Sequence, residues 1–461
     1  MEFAAVILLL TFYFIHPQDW VPGMAGLNVV KPIIAMAILG MVSRRRNARH
    51  LPWRFMRTPH EWIMVVYAAY ILVSAPSPGD VAGDMLPLVV FFFLTLHSIT
   101  SVERLDSFLK WWRWSLIGVA IMALGVVVGV DFTQSATITD QNAGRLALNH
   151  WNLNNPNALG HTLITLFPLL YFGVIRDRRR GRFITRLISV LIPAAIASVC
   201  LWKTQSKGAY LVGAGMIVFA ILLGRPWWLK VAIISLAIAG GGTVLSVLPR
   251  MNELSHLKSD EGVVGRIMVW QMARGVTRNT VSGEGYKRFA AHIRWEGRMI
   301  PKATHSSYVQ IGGDLGLPGL LLYLSVLCCG LRTLFSYYGY SEELDRLRGA
   351  LFALLLGYVA SGWMINRSYQ TEFFLLIGAI AAYQQLCLRA AAVARHEEAA
   401  VPAAQSQVAA ARPKRRQRTT GKGAFARWMP PWRRYGILDA ACACIALQMV
   451  LWIWDYAIST F

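Results

Sequence analysis

The sequence predicts an all-α polytopic membrane protein, and three observations predict it. Only 15% of the 461 residues are Asp, Glu, Lys or Arg, against about 25% in soluble domains. The mean hydropathy is positive, +0.44. About 12–13 apolar runs along the chain approach the roughly 20 residues a helix needs to span a bilayer with its backbone hydrogen bonds satisfied internally. An apolar content of 55% excludes intrinsic disorder and collagen-like repeats. Cys200, Cys328, Cys329, Cys387, Cys442 and Cys444 all lie inside apolar runs, without zinc-ligand or redox spacing, and read as small buried hydrophobes.

Taken in order, spans are expected near 2–16, 25–42, 61–75, 84–99, 109–130, 158–175, 184–202, 208–224 and 227–248, forming an N-terminal transmembrane bundle over 1–248. The first run lacks a basic leading segment and a small-residue cleavage site, so it reads as an anchor. A long loop over 249–315 follows. C-terminal transmembrane helices then occupy 316–390, with spans near 316–337, 347–364 and 371–390. Residues 391–435 form a basic cytoplasmic linker, and 436–461 carries an extra C-terminal span.

The net charge is +22, and its placement argues against a nucleic-acid partner. Arg44, Arg45, Arg46, Arg49, Arg54 and Arg57 fall in one short inter-span segment. Arg176, Arg178, Arg179, Arg180, Arg182 and Arg186 fall in a second, and the linker around Pro413 through Arg418 in a third. Such basic loops stay cytoplasmic during insertion. With the N-terminus inside, all three lie inside, while the short outer loops 17–24 and 76–83 hold no Lys or Arg. The linker serves as a topology determinant or touches anionic lipid headgroups.

The loop 249–315 is an outside segment that breaks the charge pattern, with ten basic residues against six acidic ones. Long loops translocate regardless of charge, and a basic domain resting on a membrane suits an anionic ligand such as a lipid phosphate or diphosphate. Within it, 263–278 reads as an amphipathic helix with Val263, Ile267, Trp270 and Ala273 toward one side. Arg266 and Arg274 are then about 80° apart around the axis, so both can reach one phosphate group. The competing reading is a solvated face whose Arg residues extend toward headgroups. The loop ends in Thr304-His305-Ser306-Ser307-Tyr308. There His305 serves either as a proton acceptor, given an ordinary pKa of about 6.5, or as an interfacial His beside an aromatic ring.

Four segments carry a family resemblance. They are Asn154-Asn155-Pro156-Asn157-Ala158-Leu159-Gly160, Thr204-Gln205-Ser206-Lys207-Gly208-Ala209, Gly265-Arg266 with Trp270 and Gly283-Glu284-Gly285-Tyr286, and His305-Ser306-Ser307-Tyr308 with its glycine-rich exit from Gly312 to Gly319. In their order and topology the chain resembles the O-antigen ligase and O-antigen polymerase superfamily over roughly 150–380. His16-Pro17-Gln18-Asp19-Trp20 looks like the branch associated with exosortase and exopolysaccharide systems.

The resemblance implies a GT-C-like fold in the bacterial inner membrane. It implies a metal-independent, inverting glycosyl transfer at the periplasmic face, without a cofactor. The donor would be a glycan on undecaprenyl diphosphate, and the acceptor a hydroxyl of lipid A core, a protein or a polysaccharide; membrane lipids are the other partners. The family's essential His maps to His305 and its loop Arg to Arg266. Lys207 stands where a second Arg is usual, which keeps the charge and loses the planar fork. Arg274 and Arg288 are further candidates for binding the diphosphate. Asn157 is a candidate for positioning substrate, and Tyr308 either positions substrate or packs. No Asp-x-Asp pair occurs in the chain. A repeat-unit polymerase shares the donor site and differs in its acceptor. A polysaccharide transporter or flippase is the alternative of a different class.

Overall fold

A computed structural model describes all residues except 25, 48–55, 178–182, 248–260, 296–297, 401–434 and 461. The protein is an all-α polytopic membrane protein. Each expected span overlaps a helix. In the first half these are α1 (Glu2–Ile15), α2 (Val30–Asn47), α3 (Pro59–Val73), α4 (Pro78–Ser98) and α5 (Val102–Val127). A short α6 (Ala136–Gln141) precedes α7 (Pro156–Leu163) and α8 (Leu166–Leu170), which continues as a wide π turn over Tyr171–Ile175. Then come α9 (Phe183–Thr204), α10 (Lys207–Leu222) and α11 (Trp227–Val247). The second half holds α12 (Glu261–Asn279), α13 (Ser307–Ser336), α14 (Glu342–Ser361), α15 (Thr371–Ala400) and α16 (Ile437–Thr460).

Among the described residues seven of these segments are long and apolar enough to cross a bilayer, and five shorter apolar helices of 10–17 residues accompany them. The helix α14 falls outside both groups. Its first turns carry Glu342, Glu343, Asp345, Arg346 and Arg348, and Arg346 pairs with Asp106 of α5 at 2.7 Å.

Three boundaries differ from expectation for local reasons. The helix α13 begins at Ser307 and not near 316, because Ser306 caps it, its Oγ accepting the Val309 amide at 3.4 Å. It then breaks at Gly316, whose φ of 65° is left-handed. The helix α15 runs past 390 to Ala400, so the first residues of the expected linker are helical. Among its described residues the loop holds the helix α12 and also an antiparallel hairpin of β1 (Ala291–Trp295) and β2 (Arg298–Lys302), with Ala291 opposite Lys302. Cys442 and Cys444 are exposed on α16, and Cys328 is only partly covered, whereas Cys200, Cys329 and Cys387 are buried as expected.

The bundle is built around α13 and α15. Their spans, with that of α7 and α8, are the most enclosed, whereas α9 and α16 present most of their surface outward. The helix α15 lies along α4, α13 lies against α3, α12 and α16, and α10 lies against α14 and α7. Tyr308, Tyr323, Phe373 and Trp454 are among the largest fully buried side chains. This packing gathers one end of each of α1, α7, α10, α13, α14 and α15 into a single face, where the site is built.

Candidate active site

The turn Thr304-His305-Ser306-Ser307 is pinned to the segment between α14 and α15. The Ser307 amide donates to the Gly362 carbonyl at 2.7 Å, and Ser306 Oγ donates to the same carbonyl at 3.1 Å. Ser307 Oγ donates to the Ile365 carbonyl at 3.1 Å and accepts the Arg367 amide at 2.9 Å. From the other side, Trp270 Nε1 of α12 donates to the Thr304 carbonyl at 2.9 Å. His305 itself is held at φ 48°, a left-handed conformation that costs a non-glycine residue about 1–3 kcal/mol and persists where the surroundings over-determine it. Burial lowers its imidazole pKa to about 4, with the nearby Arg266 and Lys302 charges acting in the same direction. The ring is therefore neutral at physiological pH and able to take a proton.

Arg266 stands on α12, whose buried face is Ile267, Val269, Trp270 and Ala273. The same guanidinium is close enough to act electrostatically on His305 and on His161 of α7. It also lines an apolar cavity of about 850 Å³ bounded by Leu211 and Phe219 of α10, Ile267, Leu356 of α14, and Ile453 and Ala457 of α16. Arg266 is the charged side chain among the lining residues. A cation at the edge of an apolar hollow suits a ligand with an anionic head and a hydrocarbon tail.

The α7 and α10 segments meet through glycines. A Cβ on Gly160 would come within about 3.1 Å of Ala209, Ser206 and Thr204, and one on Gly208 within 3.2 Å of His161 Nε2. Asn155 and Ser206 cap these helices, their side chains accepting the amides of Asn157 and Ala209. Lys207 is the first residue of α10 and thus stands beside the glycine that touches His161. His161 Nδ1 lies 2.8 Å from Ser361 Oγ of α14. Arg266 thus lies within electrostatic reach of both His305 and His161, and His161 in turn adjoins the first turn of α10 at Gly208.

The other expected residues are engaged elsewhere. Arg274 makes a two-pronged pair with Asp455 of α16, at 2.7 and 2.8 Å, and its guanidinium lies over the Trp454 ring. Arg288 reaches Ser77 Oγ at 3.2 Å, ahead of α4. Tyr308 is buried, its hydroxyl donating to the Val359 carbonyl at 2.7 Å and its ring 4.8 Å from that of Trp363. It packs. Asn157 Oδ1 accepts from Arg145 Nη2 at 2.9 Å.

Two arginines that sequence reasoning passed over are central here. Arg145 joins Asn157 to the Thr204 carbonyl, bridging α7 to the turn that carries Lys207. Arg367 is 5% exposed and pairs with Glu372 Oε2 at 2.7 Å. It also donates to the Ala158 carbonyl and to Thr162 Oγ1 of α7. It thus ties the α7 motif to the His305 turn. Its only signal in the sequence is a charge just outside an apolar run.

The glycine-rich exit after His305 also has a structural explanation. The amides of Glu284 and Gly285 donate to the carbonyls of Gly313 and Asp314 at 3.0 and 2.7 Å. A Cβ on Gly316 would lie 2.0 Å from the Val281 carbonyl oxygen, and one on Gly283 would lie 2.5 Å from the Asp314 backbone. The Gly283-Glu284-Gly285 turn is therefore seated directly on the break in α13, backbone to backbone.

Residues 192–324 match the family model described as O-antigen ligase. Over this segment, less than a third of its length, the chain is similar to the O-antigen ligase family. The matched segment runs from within α9 to within α13 and includes Lys207, Arg266 and His305, whereas the α7 motif and Arg367 lie outside it. No curated protein matches the chain.

Proposed function

We propose that this O-antigen ligase relative transfers a glycan from a polyprenyl diphosphate to an acceptor hydroxyl at the periplasmic face of the inner membrane. The observation that carries the reading is Arg266, which stands at the apolar cavity and within electrostatic reach of His305. In this reading the first isoprene units lie in the cavity and the diphosphate rests against Arg266, with Lys207 as a second cation. The acceptor oxygen attacks the anomeric carbon while the bond from that carbon to the diphosphate oxygen breaks. The electron pair leaves with the diphosphate, whose growing negative charge Arg266 stabilises. The acceptor proton passes to His305, and attack opposite the leaving group inverts the anomeric centre. Arg274 and Arg288 serve as struts in this reading, and Asn157 orders α7 through Arg145. Transfer proceeds without a divalent metal or cofactor, so a chelator leaves the rate unchanged.

His305→Ala tests the assignment. The variant is expected to insert normally and to lose transfer by about 10²–10⁴-fold, whereas Arg298→Ala in β2 keeps it. Near-full activity of His305→Ala in vitro would make the base assignment wrong. The glycolipids left in a deletion strain separate the acceptors: a missing ligase leaves long chains on the carrier lipid, and a missing polymerase leaves single units transferred.

A further inference from the structure

The segment His16-Pro17-Gln18-Asp19-Trp20 takes no part in the chemistry above, yet the fold carries it to the same end of the bundle. Asp19 Oδ2 accepts the Trp151 amide at 2.8 Å and lies 2.8 Å from His16 Nδ1. Asn152 Nδ2 donates to the Tyr13 hydroxyl at 2.9 Å. The Trp151 indole rests on a bed of rings, 6.0 Å from Tyr13, 5.9 Å from His16 and 6.3 Å from His150. His150 is buried, and burial lowers its pKa to about 4, so that ring is neutral where it backs the indole. Even so, Trp151 remains 46% exposed. An aromatic plate held this firmly loses little conformational freedom when something stacks on it.

This plate is connected to the reaction centre on two sides. The loop that bears it also bears Arg145, which holds Asn157 and the Thr204 carbonyl, and its Leu146 amide donates to the Lys203 carbonyl at 3.0 Å. Beneath it, Tyr13 lies within electrostatic reach of Glu372 and Arg367. An exposed aromatic face beside a partly exposed carboxylate and imidazole matches a pyranose ring. Its C–H face stacks on the indole, and its neighbouring hydroxyls donate to the carboxylate and exchange hydrogen bonds with the imidazole.

We propose that Trp151, Asp19 and His16 form a glycan-binding subsite that holds a sugar ring some distance from the bond being made. The proposal rests on the reading of the protein as a glycosyltransferase, and the sugar belongs either to the donor chain or to a glycan acceptor. The test uses the full-length protein in nanodiscs and two probes: the glycan released by mild acid from the carrier-lipid pool of the producing cells, and the acceptor glycan from cells lacking the enzyme. Trp151→Ala leaves the backbone anchor on Asp19 in place and is expected to weaken binding of one probe about tenfold. Trp151→Tyr retains most of the affinity, and Trp227→Ala, at an exposed Trp opening α11, changes nothing.

Loss confined to the released glycan assigns the subsite to the donor chain, and loss confined to the other probe assigns it to the acceptor. If neither probe binds the unaltered protein, or both bind Trp151→Ala unchanged, the subsite is overturned. His305→Ala is expected to bind both probes normally. Glycan binding that depends on Trp151 in a protein with no transferase activity would leave the subsite standing and remove the reading beneath it.

Discussion

His305 combines a strained backbone, a covered ring and two cationic neighbours. Its pKa lies below the ordinary value, so the unprotonated, proton-accepting form persists as the pH falls toward about 4. In the proposed reading, a diphosphate bound there would offset the charges of Arg266 and Lys302 and raise that pKa. The acid limb of kcat is therefore expected at higher pH than the acid limb of kcat/KM, which pH–rate profiles measure directly. Coincident limbs would mean that the diphosphate does not lie against His305. Arg266→Lys keeps the charge and loses the two-point fork, so it is expected to lower kcat/KM by about tenfold. Lys207→Arg, which restores the usual family residue, is expected to be tolerated. The resemblance pointed to His305, Arg266 and Lys207; the fold brings Arg266 within electrostatic reach of His305 and sets Lys207 at the start of α10. Arg145 and Arg367 were not legible, because their roles are bonds to groups remote in sequence.

At the scale of elements, the site is a set of helix starts held together by close backbone contact. Gly316 is the clearest case, being both left-handed and in contact with the Val281 carbonyl. Gly316→Ala introduces a Cβ where no flexible side chain can yield, and we expect a sharp loss of folded protein, read as recovery and thermal midpoint after detergent extraction. The glycine-rich run was visible in the sequence, but the backbone it accommodates was not. The starts behind the capping residues Asn155 and Ser206 fall within two residues of the spans expected from 158 and 208, whereas the start behind Ser306 lies nine residues before the span expected from 316. The hairpin of β1 and β2 was missed, although the sequence places Glu296-Gly297 between two five-residue runs, a short-turn signal.

For the whole molecule, the last helix is the surprise. The extra span packs on α13 and α12 and completes the cavity with Ile453 and Ala457. Trp454 is fully buried, its Nε1 donating to the Trp270 carbonyl at 3.0 Å and its ring covering Gly312. Asp455 holds Arg274, and Asp439 pairs with Arg332 near the far end of α13. Trp454→Ala is expected to destabilise the protein by about 3–5 kcal/mol. Because α12 carries Arg266, it should also raise KM for the lipid-linked donor. Thermal unfolding and donor-dependence curves check the two effects separately, and an unchanged KM would show that α16 only stabilises.

The sequence by itself determined the membrane class, the overlap of every expected span with a helix and the amphipathic helix of the loop. These follow from local composition and period, which bilayer thickness and backbone hydrogen bonding translate directly into structure. Only the tertiary structure decided that Arg274 pairs with Asp455, that Tyr308 packs, that Arg367 joins α7 to the His305 turn, and that α16 walls the cavity. Each of these joins residues far apart along the chain, and a side chain's partner depends on which faces meet when the helices pack.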